Sequence, residues 1–173
     1  MIPSIFLFST DFDSVAIVWK KVSGTVKILE IMITNPKLSA EQRVAVKYFQ
    51  SSISACEKVT QLSEKIKNYC RGKNEEFNLE MFDFSQIPKF RKRVYLTLFK
   101  TKRGETLSYG ELASRSGYPG AARAVGTAMK NNPFPFIIPC HRVIKSDGSL
   151  GGFFGAEEMK RKLIQLESGK IIY

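Results

Sequence analysis

Over most of the first third of the chain, apolar and polar residues alternate or gather in short apolar runs, the period-two pattern of β-strands. Strands are predicted over 5–10, 15–22 and 25–33, the last two joined as a hairpin through Ser23-Gly24. The pattern then lengthens toward the helical period. Ser39-Ala40-Glu41-Gln42 and Ser54-Ala55-Cys56-Glu57 both match a capping box, a Ser cap with Gln or Glu three residues on, and predict two helices, the second ending at Gly72. One more strand is expected over 77–84, before Ser85-Gln86-Ile87-Pro88, which reads as a linker.

Helical periodicity dominates after the linker. A helix is predicted over 90–100, with Val94, Tyr95 and Leu98 on one face. A third capping box, Ser108-Tyr109-Gly110-Glu111, opens a short helix through Leu112 and Ala113. The turn Ser116-Gly117-Tyr118-Pro119 leads into a second helix over 120–131, where Pro119 suits the start because its missing N–H needs no partner there. Two short helices around a glycine-containing turn read as a helix-turn-helix. In the second, Ala122, Val125 and Met129 are expected to pack inward and Arg123, Thr127 and Lys130 to face outward; its remaining residues are small, so it is slim enough to approach a phosphate backbone. A last helix is predicted over 157–168, with an apolar stripe of Met159, Leu163 and Leu166 and with Glu167 on its edge.

The order of elements gives an α/β (α+β) chain of two lobes, 1–85 and 86–173, and 43% apolar residues suffice for a buried core. Charge separates the lobes. Residues 1–85 carry 11 Lys/Arg against 10 Asp/Glu, net +1, whereas 86–173 carry 16 against 6, net +10. A one-sided positive field of this kind suits a polyanion-binding surface, although a solvated basic face has the same composition. The chain has no apolar run of membrane-spanning length, and Met1-Ile2-Pro3-Ser4-Ile5 lacks the basic region of a signal peptide. A cytoplasmic protein is therefore expected, nucleoid-associated in a prokaryote. Cys56, Cys70 and Cys140 do not form a secreted disulfide framework, so reduced thiols are expected.

The chain's single histidine, His141, lies directly beside Cys140 in Pro139-Cys140-His141-Arg142-Val143. Before it, Phe134-Pro135-Phe136-Ile137-Ile138-Pro139 is an apolar run stiffened by prolines, which is expected to hold the thiol at a fixed height beside a pocket. A free thiol, with a pKa of about 8.5, needs a base or a nearby cation to react at neutral pH. In an extended segment Cys140 and His141 point to opposite sides, so a bridging water is the expected link. Glu167 is the economical acceptor for His141, since a partly buried carboxylate needs a partner; an exposed glutamate in the last turn before Gly169 is the alternative. A buried inert cysteine is the alternative fate of Cys140. Zinc ligation and a papain-like arrangement both fit the spacing poorly.

These residues together resemble the O6-alkylguanine-DNA alkyltransferases. The resemblance rests on Pro139-Cys140-His141-Arg142-Val143, on Asn132-Pro133 and Ala121-Ala122-Arg123-Ala124-Val125-Gly126 before it, on Ser108-Tyr109 upstream and on Glu167 downstream, and it covers residues 88–170. It implies a ribonuclease H-like, mainly structural N-terminal lobe and a mainly helical C-terminal lobe holding the helix-turn-helix and the cysteine loop. The implied activity is DNA repair by irreversible, single-turnover transfer of the alkyl group of O6-alkylguanine, and of O4-alkylthymine, to Cys140, without cofactor or metal. His141 then accepts the thiol proton through a water, Glu167 holds His141, Tyr109 assists the leaving base, Arg123 fills the gap left by a flipped base, and Asn132 is the hinge into the cysteine loop. The resemblance further implies DNA contacts from Tyr109, Ala122, Gly126, Thr127, Lys130 and Arg142. The implied substrate pocket comprises Met129, Pro135, Val143, Gly151, Phe153 and Phe154. The partner is double-stranded DNA, met in the minor groove by a monomer that does not engage membranes. Gly151-Gly152-Phe153-Phe154-Gly155 departs from the family, which often carries an aromatic followed by Ser; Phe154 removes that hydroxyl. The competing reading is a helix-turn-helix module that marks alkylated bases or regulates transcription without transfer.

Overall fold

Strand β2 (Ser14–Val22) is buried from Val15 through Trp19 without interruption, because it is an inner strand of the main sheet. The computed structural model describes residues 2–169. It divides into two compact units, Met1–Asp83 and Phe84–Tyr173. In the first, β1 (Ser4–Ser9), β2, β3 (Thr25–Ile33) and β4 (Ser52–Ile53) form a sheet ordered β3-β2-β1-β4, antiparallel except for the β1–β4 pair. Ser23 and Gly24 both take positive φ, 48° and 77°, as a two-residue hairpin turn requires. Ala16 and Val18 pack with Ala40 and Val44 of α1 (Ala40–Lys47), so the alternating Val15, Ile17 and Trp19 are buried on the opposite face of the sheet.

Helix α1 starts with the expected reciprocal cap between Ser39 and Gln42. Two other expectations fail. Helix α2 (Glu57–Cys70) is capped by Cys56 with no side-chain bond, since the backbone N–H of Ser54 is committed to the Ile5 carbonyl alongside β4. The segment 77–84 is not a strand: a turn between Leu79 and Phe82 leaves one bridge, Ile28 to Phe82.

In the second unit, α3 (Lys89–Phe99) buries Val94, Tyr95 and Leu98. The Tyr95 hydroxyl donates to the Ala128 carbonyl at 2.7 Å. The capping box of Ser108 and Glu111 opens α4 (Tyr109–Arg115). Helix α5 (Ala122–Lys130) begins later than expected, because Gly120 adopts φ +82° and Pro119 lies in the turn. Two two-residue strands that periodicity did not reveal, β5 (Leu107–Ser108) and β6 (Val143–Ile144), pair in parallel. That pairing positions the site: the chain leaves β5 into Tyr109, and it enters β6 directly from Cys140-His141-Arg142. Helix α6 (Glu157–Ser168) completes the described residues. None of their helices is long and apolar enough to cross a membrane.

Candidate active site

The cysteine loop is held by Asn132, which is only 4% exposed. Its side-chain amide donates to the Ile138 carbonyl at 2.9 Å and to Cys140 Sγ at 3.1 Å, and its oxygen accepts from the Phe134 amide at 3.0 Å. Between these anchors Phe136 adopts φ +71°, a left-handed conformation that costs a non-glycine residue roughly 1–2 kcal/mol and persists only where packing enforces it. The loop ends in one turn of 3-10 helix, Cys140–Arg142, rather than in the extended segment expected. Successive residues are then about a third of a turn apart rather than on opposite sides.

Cys140 is buried, and burial pushes its thiol up to about 11 against the pull of the Asn132 amide, the Lys160 charge and nearby backbone amides. The resting sulfur is a thiol at neutral pH, so reaction requires a base. His141 supplies it. The imidazole is fully buried, and burial holds its pKa below the ordinary value despite the adjoining Glu167 carboxylate. Nε2 stands 2.9 Å from Glu167 Oε1; a carboxylate can only accept, so Nε2 carries the hydrogen and Nδ1 is the basic nitrogen.

Glu167 gathers four donors. Besides His141, it accepts from Arg142 Nε at 2.8 Å, Arg142 Nη2 at 2.9 Å and the Gly104 amide at 3.0 Å. Burial disfavours its charge, but the bonds from His141 and Arg142 outweigh that and hold the carboxyl well below its usual range. Arg142, expected at the DNA surface, is thus an interior clamp; its Nη1 also donates to the Thr101 carbonyl at 2.7 Å.

Sequence reasoning missed Lys160. Its side chain is fully buried, and Nζ donates to the Val143 carbonyl at 2.6 Å, fastening α6 to the strand that follows the cysteine. Burial lowers its pKa to about 8, while the charges of Cys140 and Glu157 push the other way. The inward face of α6 is Lys160, Leu163, Ile164 and Glu167, not the expected stripe; Met159 is half-buried and Leu166 is exposed. The spacing i, i+3, i+4, i+7 was available as a signal, but it begins and ends on charged residues, which a hydrophobicity pattern discards.

Tyr109 stands at the mouth of the site. A Cβ on Gly126 would lie 3.9 Å from its ring, and one on Gly151 would meet its hydroxyl at 2.7 Å, so two glycines admit the ring. Burial, and then the Cys140 charge, keep its hydroxyl protonated beyond the ordinary range. Phe153 packs edge-on to His141, with centroids 6.4 Å apart, and to Phe154 at 5.1 Å. Phe154 adopts φ +52° and is half-buried. Met129, Pro135 and Val143 are buried. A cleft of about 450 Å³ borders the same loop, and of the expected pocket residues it takes in Gly151 alone. On α5, Arg123, Thr127 and Lys130 are exposed, Ala122 and Gly126 half-buried, and Val125, Ala128 and Met129 buried. Among the described residues no group of three or more His, Cys, Asp or Glu is placed to hold a metal ion.

Comparison with known proteins agrees with this constellation. Residues 89–169 match the family described as 6-O-methylguanine DNA methyltransferase, DNA binding domain. The methylated-DNA–protein-cysteine methyltransferase of Methanothermobacter thermautotrophicus is 36% identical over 122 residues, 70% of this chain and 68% of its own length. The protein of the same name from Mycobacterium tuberculosis is 43% identical over 107 residues, 62% of this chain and 64% of its own. The crystal structure of Mycobacterium tuberculosis O6-methylguanine methyltransferase superposes with a TM-score of 0.78 at 28% identity, covering 96% of this chain and 93% of that one. The Mycobacterium tuberculosis structure in complex with DNA gives 0.73 over the same shares. A buried cysteine beside a buried His–Glu pair in sequence, next to a helix-turn-helix and within a chain so matched in sequence and fold, places this protein in the methylated-DNA–protein-cysteine methyltransferase family.

Proposed function

We propose that Cys140 is the acceptor in a single-use repair reaction that takes the alkyl group from O6-alkylguanine in DNA, with O4-alkylthymine as a second substrate. The carrying observation is a buried cysteine next in sequence to a buried histidine whose Nε2 bonds to the Glu167 carboxylate at 2.9 Å. The thiol proton passes through a water to His141 Nδ1, and Glu167 and Arg142 steady the imidazolium that forms. The thiolate attacks the alkyl carbon; a C–S bond forms and the C–O6 bond breaks. The departing guanine is hydrogen-bonded by the Tyr109 hydroxyl and takes up a proton, replaced from His141, so the reaction is proton-neutral. Nothing in the site can displace an alkyl group from a thioether, so each molecule acts once.

A base inside a duplex is out of reach of a buried sulfur, so the target must be extruded. Arg123, exposed at the start of α5, has the length and charge to occupy the vacancy. The small residues Ala122, Ala124 and Gly126 suit α5 to the narrow minor groove. We read the protein as a cytoplasmic monomer, and its N-terminal unit as structural.

Mass spectrometry after incubation with a duplex containing O6-methylguanine tests this reading. One methyl group per molecule, on the Cys140 peptide, is expected. Bound protein with an intact lesion would instead support a lesion-marking module.

A further inference from the structure

Helix α3 carries Lys89, Lys92 and Arg93 at i, i+3 and i+4, so the three cations share one face, and all are exposed. Like charges at this spacing destabilise a helix by a few tenths of a kcal/mol for each pair in the general case, and the first turn holds no acidic residue to offset them. Among the described residues, no ion pair includes any of the three. Folding thus leaves a positive stripe with no carboxylate partner; Lys92 Nζ lies 6.0 Å from the centroid of the Phe84 ring, and the helix meets the interior through Val94, Tyr95 and Leu98.

The stripe adjoins the helix-turn-helix. Phe90, next to Lys89, packs edge-on against Tyr118 with ring centroids 4.9 Å apart. Tyr118 is 39% exposed and lies in the turn that leads into α5. The ring pair fixes the first turn of α3 beside the turn that leads into α5, the helix on which Arg123 and Lys130 are exposed.

We infer that Lys89, Lys92 and Arg93 form a second contact with the DNA backbone, continuous with the helix-turn-helix, that grips phosphates flanking the damaged base. The inference rests on the DNA partner of the proposed function and adds a surface that carries affinity but no lesion recognition. Phosphate contacts position a protein without reading sequence, so this surface strengthens binding to damaged and undamaged duplex by the same factor.

The test is binding to a duplex with and without O6-methylguanine across a salt series, for the wild type and for the variant Lys89→Gln, Lys92→Gln, Arg93→Gln. Removing one cation from a phosphate lowers the slope of log affinity against log salt by about 0.9, so the slope falls by up to about 2.7. The fall is expected on both duplexes alike. A control with Lys21→Gln, Lys37→Gln and Lys58→Gln, three exposed cations of the N-terminal unit, removes the same net charge. An unchanged slope in the α3 variant, or an equal fall in the control, overturns the inference. The thermal midpoint of the α3 variant, which is relieved of like-charge repulsion, is expected to hold or rise; a fall would place the cations in the fold rather than on DNA. Methyl transfer by the wild type is read in the same reactions. If it is absent the repair reading fails, whereas transfer with an unchanged slope removes only the α3 surface.

Discussion

The side-chain amide of Asn132 donates to Cys140 Sγ at 3.1 Å while donating to the Ile138 carbonyl at 2.9 Å. One buried side chain therefore ties the reacting sulfur to the backbone that presents it. Asn132→Ala removes the side-chain acceptor of the buried Phe134 amide and one of two donors to the Ile138 carbonyl, which keeps the Cys140 amide at 2.7 Å; a buried group that loses its partner costs roughly 1–3 kcal/mol in the general case. It also removes a bond that favours the thiolate. The urea midpoint and the rate of reaction with free O6-benzylguanine are both expected to fall. A less stable variant reacting at the wild-type rate would confine Asn132 to the scaffold.

Glu167→Gln breaks a buried ion pair and leaves Arg142 charged in the interior, where such losses cost about 3–5 kcal/mol. An amide can also offer its NH2 to His141, which would allow the wrong tautomer. Alkyl transfer is expected to fall by more than the loss of folded protein explains, as read from the rate per folded molecule.

Acid should weaken the fold in two steps. His141 and Glu167 both have folded pKa values below their ordinary ones, so the unfolded chain binds more protons than the native one. The stability each contributes is present above the unfolded value and lost as pH falls toward the folded value. The urea midpoint is expected to drop first as pH falls below 6.5, through His141, and again below 4.5, through Glu167. A midpoint flat from pH 7.5 to 4 would contradict the buried neutral imidazole and the paired carboxylate together.

Lys160→Met keeps most of the apolar stem and removes a positive charge that favours the thiolate. The pH profile of the reaction with free O6-benzylguanine should move toward alkaline pH, with a lower rate at pH 7. A lower rate without movement of the profile would show that Lys160 only fastens α6 to Val143.

At Gly151, φ is +66° and a Cβ would meet the Tyr109 hydroxyl at 2.7 Å; at Gly148, φ is +83° and the space is open. Gly148→Ala therefore bears the backbone cost alone, about 1 kcal/mol. Gly151→Ala bears that and displaces Tyr109, so transfer should slow at least tenfold in this variant and little in the other. Equal rates would remove Tyr109 from the reaction.

Local patterns carried much of this protein. The reciprocal caps at Ser39 and Ser108, the hairpin at Ser23-Gly24, the inward face of α3 and the extent of α6 all follow from interactions within a few residues, which a sequence displays directly. The proposed nucleophile and base stand out for a different reason. Cys140 and His141 are adjacent and chemically rare in the chain, so composition alone isolates them. The cap expected at Ser54 failed because strand pairing competed for the same backbone, which no local pattern can weigh.

The sequence by itself determined which groups can react, which lobe carries the positive charge and where the helices run, because side-chain chemistry and short-range backbone preferences are written residue by residue. Tertiary structure alone decided what those groups are. Packing turned Arg142 from an expected DNA contact into a clamp on Glu167, brought Lys160 into the interior on the Val143 carbonyl, and raised the thiol's pKa to about 11. The physical reason is burial. A charge removed from water takes its value from its neighbours, and those neighbours are brought together by a parallel two-residue strand pair joining segments 36 residues apart.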